Sequence, residues 1–236
     1  WRWQGTLAAT EQRLEFNGQV AADTDLQLAV QLQHDSSQGL QLQAQLTEVF
    51  LRAGNPLSKT LADWPALLDL SNGRLSGNAS LSLAPGRDLP DLQLELSGKG
   101  LAGIYDRSEI SGLDGRLQLR LDQRQLRLEL SELQLEQLNP GMPIGPAQLR
   151  GSYQAARAQP DQGLLELQQA QAAVMGGMLR LDPGQWDLRQ GTLVFPLLLQ
   201  GLDLNQFFTL YPAEGLAGSG LIDGQLPLSI GPAGIE

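Results

Sequence analysis

The sequence predicts an all-β protein whose sheet has one apolar and one polar face. Three observations carry that prediction. Apolar and polar residues alternate with a period of two along most of the 236 residues. Short clusters of Gly, Pro, Asn and Asp interrupt the alternation. Only two stretches have helical spacing, and both are short. Residues two apart share one face of a strand, so the alternation describes half-buried strands. With no long helix between them, neighbouring strands pair antiparallel, in hairpins and meanders.

In chain order, Trp1 and Trp3 stand on one side of an opening strand. "DLQLAVQLQ" places Leu26, Leu28, Val30 and Leu32 on one side with glutamines opposite, and "GLQLQAQL" does the same with Leu40, Leu42, Ala44 and Leu46. "RLSGNASLSL" and "DLQLEL" follow, then "RLQLRL", "QLRLEL", "LELQQAQ", "GMLRL", "GTLVFPLLL" and "LIDGQLPLSI". Turns are expected at "HDSSQG", "APGRDLP", "SGLDG", "NPGMPIGP", "QPDQG" and "LDPGQ". Their Gly, Pro, Asn and Asp supply the φ angles that chain reversals need. "PLSKTLADWPALLDL" sets Leu57, Leu61, Trp64 and Leu67/Leu68 at helical spacing, which predicts a short helix near 57–70 that Pro65 can split. "DLNQFFTLY" sets Leu204, Phe207, Phe208 and Tyr211 similarly, a second short helix near 203–211 with Asp203 as its N-cap. Both helices lead into strands that open with Gly-x-Leu, a loose structural repeat.

The totals exclude several classes. Sixteen basic and 26 acidic residues leave a formal charge of −10. Nucleic acid needs a dense basic surface, so it is excluded as a partner. The same charge argues against docking on an anionic membrane face through charge alone. There is no cysteine, hence no disulfide, iron–sulfur cluster or thiolate zinc site. The longest strongly apolar run, "LVFPLLL", is far below the roughly 20 residues that span a bilayer. The chain begins at Trp1 and stops at Ile235-Glu236 after a strand-like run, so it is expected to be a piece of a longer protein.

No catalytic constellation emerges, and no enzyme, cofactor or metal site is expected. "GKGLAG" (98–103) matches a dinucleotide-binding spacing but lacks the helix that would hold a pyrophosphate, and reads as a glycine-rich turn. His34 is the only histidine, so no triad or histidine metal site has its partners; it is expected in a turn, solvated. The carboxylate pairs Asp182/Asp187 and Asp203/Asp223 fall in turns, caps and strand ends, where Asp has structural uses. Trp64 and Trp186 read as packing residues, and Phe207 and Phe208 as a staple or plug.

The leucine face is the informative feature. From Leu117 to Leu138, "LQLRLDQRQLRLELSELQLEQL" holds nine leucines in a nearly unbroken ladder. An apolar sheet face must be covered. The helices are too few and too short to cover ten or more strands. That leaves a second sheet, closure into a barrel, or a ligand. A closed core mixes large and small residues so that its layers interdigitate. A uniform row of leucines suits a repetitive, ligand-covered surface.

Four pieces then occur in order: the "LNPGMPI" turn, the "MGG" entry to a strand, the "GLDLNQFF" helix and the "GSGLIDGQLPL" strand. With their surroundings, over 112–236, they resemble the YdbH-like branch of the AsmA-like (TamB/AsmA-related, repeating β-groove) intermembrane phospholipid transport proteins of Gram-negative bacteria. The resemblance implies an elongated, strongly curved antiparallel sheet forming a U-shaped, taco-like groove with an apolar interior. It implies a periplasmic protein, anchored in the inner membrane by a helix that this sequence lacks. It implies phospholipid as cargo and, as partner, an outer-membrane lipoprotein of the YnbE type that would extend the sheet. On this reading residues 1–236 are one continuous β-groove fragment, sub-divided into 1–98 and 99–236. The lipid-facing residues would be Leu26, Leu28, Val30, Leu32, Leu40 and Leu42, then Leu117, Leu119, Leu121, Leu126, Leu128 and Leu130, then Leu193, Phe195 and Leu197. The alternative, drawn from TamB-type relatives, is a scaffold or chaperone for outer-membrane protein assembly through free strand edges. A carbohydrate- or small-acid-binding domain would need a compact pocket with convergent polar groups, and none is visible in the sequence.

Overall fold

The structure, a computed structural model, describes residues 1–24, 26–52, 55–210, 212, 218–231 and 234–235. Its strands are β1 (Arg2–Ala9), β2 (Arg13–Ala21), β3 (Gln27–Asp35), β4 (Gly39–Phe50), β5 (Leu68–Leu83), β6 (Asp91–Tyr105), β7 (Ser108–Leu121), β8 (Gln125–Asn139), β9 (Ile144–Ala156), β10 (Gln159–Val174), β11 (Gly177–Leu181), β12 (Gly184–Asp187), β13 (Leu193–Asp203), β14 (Leu221–Gly231) and β15 (Gly234–Ile235). Two short helices, α1 (Pro56–Thr60) and α2 (Leu204–Leu210), sit in the loops after β4 and β13. All fifteen strands join one antiparallel sheet in chain order, except that β12 leaves the path to pair with β10. β1 and β14 do not meet among the described residues, so the sheet is not closed into a barrel.

Strict alternation alone would make a plain twisted ribbon. Apolar steps of three instead of two break it at several places, among them Leu46 to Val49, Gly98 to Leu101, Leu130 to Leu133, Leu167 to Ala170 and Leu199 to Leu202. Each of these coincides with a register shift in the pairing. A bulge adds one residue to one strand, so the apolar side chains return to their face instead of turning over. The bulges of β4, β8 and β10 fall between the same two cross-strand rows. One row carries Leu46, Leu96, Leu117, Leu130 and Leu167; the next carries Val49, Leu75, Leu133, Leu149 and Ala170. Bulges bend the strand and increase its twist. In a line they crease the sheet, which curls it into a groove with the leucines inside.

The glycine-rich stretches serve the sheet and not turns. "GKGLAG" lies within β6, and Gly103 passes so close to Asp69 and Leu70 of β5 that a Cβ would meet their backbone. "SGLDG" lies within β7, where Gly112 takes a φ of 62°, and "QPDQG" lies at the start of β10. The actual reversals are Asp106–Arg107, with φ of 45° and 78°, and Arg157–Ala158. Two positive φ values are what a tight hairpin of right-handed twist demands. His34 is the penultimate residue of β3, opposite Leu14 and Leu40, and exposed.

The first helix is shorter than its apolar spacing predicts. α1 stops at Thr60, where Leu61 adopts extended backbone angles. Leu61 and Leu67 are exposed, and the chain re-enters the sheet at Leu68. Pro65 removes a donor from any continuation of the helix. The second helix agrees with its spacing: the Asp203 carboxylate accepts the Asn205 N–H at 2.8 Å, as an N-cap does. Tyr211, expected in its last turn, lies outside the described residues. Among the described residues, no helix is long and apolar enough to cross a membrane.

Conventional core is scarce. Among the described residues nine hydrophobic side chains are buried, and six of them (Leu26, Val49, Leu51, Leu57, Leu70 and Leu101) form one cluster under α1. A sandwich of this length would bury several times as many, since two sheets cover each other's inner faces. The accessible surface is 15245 Å². A compact monomer of 25.5 kDa has about 10,400 Å². The excess belongs to a sheet with no second layer.

Candidate functional site

The pairing register puts the leucines of successive strands side by side. Phe16, Leu32, Leu42, Leu81, Leu92, Leu121 and Leu126 stand opposite one another from β2 to β8. One step along the strands, Val30, Ala44, Ala79, Leu94, Leu119, Leu128 and Tyr153 make the next row. Leu28 continues the following row to Leu46, and Leu117 pairs with Leu130 at its far side. Leu40 lies opposite His34 and Leu83 at the edge of the face. At the other end, Leu193, Phe195 and Leu197 face Ile230, Leu228 and Leu226. Leu197 also faces Leu181, which joins the β13 group to the rows of β10 and β11. Fourteen of the fifteen residues singled out in the sequence therefore share one face; Leu26 lies just before β3, outside the register.

Their environments differ. Leu26 is 3% exposed and belongs to the cluster under α1. Phe195 is 8% exposed and stacks on Trp186, ring centroids 4.9 Å apart. The other thirteen are half-buried. Cross-strand neighbours cover their flanks while their tips stay open. Exposure rises at both ends of the sheet: Trp3 is 65% and Leu7 60% exposed on β1, and Leu226 is 52% exposed on β14. All three lie on the leucine face.

α1 closes one end of this face. Asn55 caps it, its Oδ1 accepting the Leu57 N–H at 2.9 Å, and Pro56 occupies the first turn without losing a bond. Leu57 then reaches the cluster, with Leu46, Leu75 and Leu113 of the leucine face packed around it. The Thr60 hydroxyl meets that of Thr24, tying the helix to the β2–β3 loop. Trp64 packs on the same cluster and donates to the Leu68 carbonyl at 2.6 Å. α2 hangs from the same rim, because β4 and β13 run in the same direction. Its Phe208 is half-buried, and Phe207 and Leu210 are exposed. No sequence signal distinguished these helical contacts from groove-lining ones.

The acidic side chains have structural work. Asp187 is gripped by the Arg189 guanidinium, with Nη2 at 2.5 Å, which holds its carboxyl below the usual range. Asp182 pairs with Arg180 at 3.3 Å. Asp203 caps α2, and Asp223 accepts the Gly201 N–H at 2.8 Å. Asp35 and Asp122 are lowered too, the first by the Ser37 hydroxyl and N–H, the second by the N–H groups of Arg124 and Gln125. All four suspected carboxylates are thus engaged in caps, turns or ion pairs. Among the described residues no cluster of metal-ligating side chains occurs.

The chain matches the YdbH-like family, described as intermembrane phospholipid transport protein YdbH, over residues 1–236. The match thus extends across the N-terminal half as well as the 112–236 stretch that carries the resemblance in sequence. Neither the curated proteins nor the solved structures give a significant match.

Proposed function

Because this chain belongs to the YdbH-like family of intermembrane phospholipid transport proteins, we propose that its leucine face is a segment of a periplasmic conduit that shields acyl chains on their way between inner and outer membrane. The carrying observation is an apolar sheet face, continuous from β1 to β14, that no second sheet covers among the described residues and that α1 caps at one end. Each methylene moved into water costs about 0.8 kcal/mol, so a lipid with about 30 of them faces roughly 20 kcal/mol or more without shelter. A row of equivalent leucines lowers that cost equally at every position. No deep well then traps the lipid, and the headgroup stays in water at the open side of the groove. On this reading the chain holds no catalytic residue, and the protein is anchored in the inner membrane.

The outer edge of β14 is free from 221 to 229 among the described residues, and Leu221, Ile222, Leu226 and Ile230 are exposed. A strand added there, from an outer-membrane lipoprotein of the YnbE type, would prolong both the ladder and the apolar rows. The division into 1–98 and 99–236 would then have no role in transport, since β6 runs through it unbroken.

A photoreactive residue in place of Leu119 tests the conduit against the scaffold. Irradiation in growing cells is expected to yield phospholipid adducts. Adducts made only of polypeptide would replace the conduit by a scaffold for outer-membrane protein assembly.

A further inference from the structure

The polar face of the sheet also has a site. A hollow of about 470 Å³ is lined by three consecutive residues from each of five strands, among them Gln43–Ala44–Gln45 on β4 and Gln93–Leu94–Glu95 on β6. In each triplet the outer two side chains share a face and the middle one points away. The hollow touches both outer rows. It misses the leucines that flank the middle row on the other face, such as Leu42 and Leu46. It therefore opens on the polar side, with the backbone of the middle row as its floor. A twisted sheet is saddle-shaped, so a sheet curled around its leucines is still concave along a diagonal of its polar face.

One outer row is Gln31, Gln43, Ser80, Gln93 and Arg120, paired in register across β3 to β7. The other carries Gln45, Asn78, Glu95 and Gln118. Among the described residues, the amides and hydroxyl of both rows make no side-chain hydrogen bond. Some amides elsewhere on this face are engaged: Gln169 and Gln171 both donate to Gln148, at 2.7 and 3.0 Å, and Gln134 donates to Glu132 at 3.0 Å. Each free amide offers two donors and one acceptor. Neighbouring rungs are about 4.8 Å apart, so a polar chain laid across the strands meets a fresh amide or hydroxyl at every rung.

No aromatic ring lines the hollow, so it offers no stacking surface to a base, and its polar rows repel acyl chains. Hydroxyl-rich ligands match its donors and acceptors. At one end, Arg120 stands directly opposite Arg127, an unfavourable pairing of like charges. Arg127 is engaged by Gln125 at 3.0 Å, and Arg120 has no partner among the described residues. Glu95 is answered by Arg116 at 3.6 Å. The open guanidinium fits a carboxylate in bidentate fashion.

We propose that this hollow binds an acidic saccharide, its hydroxyl and amide groups on the glutamine rows and its carboxylate on Arg120. The site is independent of the leucine face. Ligand-observed NMR and titration calorimetry on the folded protein test it with two probes. One is the disaccharide of N-acetylglucosamine and N-acetylmuramic acid; the other is diacetylchitobiose, which lacks the carboxylate. The carboxylated sugar is expected to bind more tightly. Arg120→Ala is expected to weaken it about tenfold or more, as loss of a charged hydrogen-bonded contact does, and to leave the neutral sugar unaffected. Gln43→Ala with Gln93→Ala is expected to weaken both. These exposed substitutions leave the leucine rows intact, so the lipid content of the purified variants is expected to stay at the wild-type level. Absence of binding at millimolar sugar, equal binding of the two sugars, or unchanged binding in the variants overturns the proposal.

Discussion

At the scale of single residues, two kinds of leucine coexist in one sheet. Leu57 is sealed in the cluster under α1, whereas Leu128 is a half-buried member of the open face. Truncating a sealed leucine removes its transfer energy and leaves a cavity that its neighbours fill poorly. An open leucine loses less, because water already reaches it. Leu57→Ala is therefore expected to cost about 2–5 kcal/mol, and Leu128→Ala about 1 kcal/mol or less, close to one methylene's worth of burial. Urea melts of the two variants check this. Equal losses would mean that Leu128 is covered after all.

At the scale of elements, the bulges decide how the strands are used. Deleting Ser131 would remove the extra residue that lets β8 pass from Leu130 to Leu133 on one face. Leu133 and Leu135 would then turn to the polar side, or the second half of β8 would detach from β7 and β9. Amide exchange is expected to accelerate in residues 133–139 while the 125–130 half keeps its protection. Unchanged exchange across the whole strand would show that the bulge carries no register information. The same bulges mark the boundary of what the sequence made legible. The leucine ladders of β3 to β8 announced themselves by strict alternation. β2 and β9 did not, because glycine and alanine occupy inward positions such as Gly18, Ala147 and Gly151 and dilute the pattern. The steps of three were visible as letters, but their meaning depends on the partner strand, which no local window contains. Turn composition misled at "SGLDG" and "QPDQG", since glycine serves a bulge or a close backbone approach as readily as a reversal. Helical spacing misled after Thr60, where the sheet reclaimed Leu68 and Leu70. On the polar face, free glutamines and bonded ones look alike in sequence; only the register separates them.

At the scale of the whole molecule, the sheet trades a closed core for an exposed apolar surface. Its interior contacts are mostly between neighbouring strands, and α1 adds a local lid. Such a shape is expected to be extended in solution. A compact chain of this length would have a radius of gyration near 17.5 Å; small-angle scattering is expected to give a value well above it. A value at the compact figure would require the sheet to fold back on itself.

The central claim is that the leucine face is covered by lipid and not by protein. Mass spectrometry of an organic extract from the purified protein tests it most directly. Phospholipid is expected in at least equimolar amount, and it is expected to vanish in a folded variant carrying Leu117→Asp and Leu128→Asp. A lipid-free extract from wild-type protein taken directly from membranes, or equal lipid in the variant, would contradict the claim.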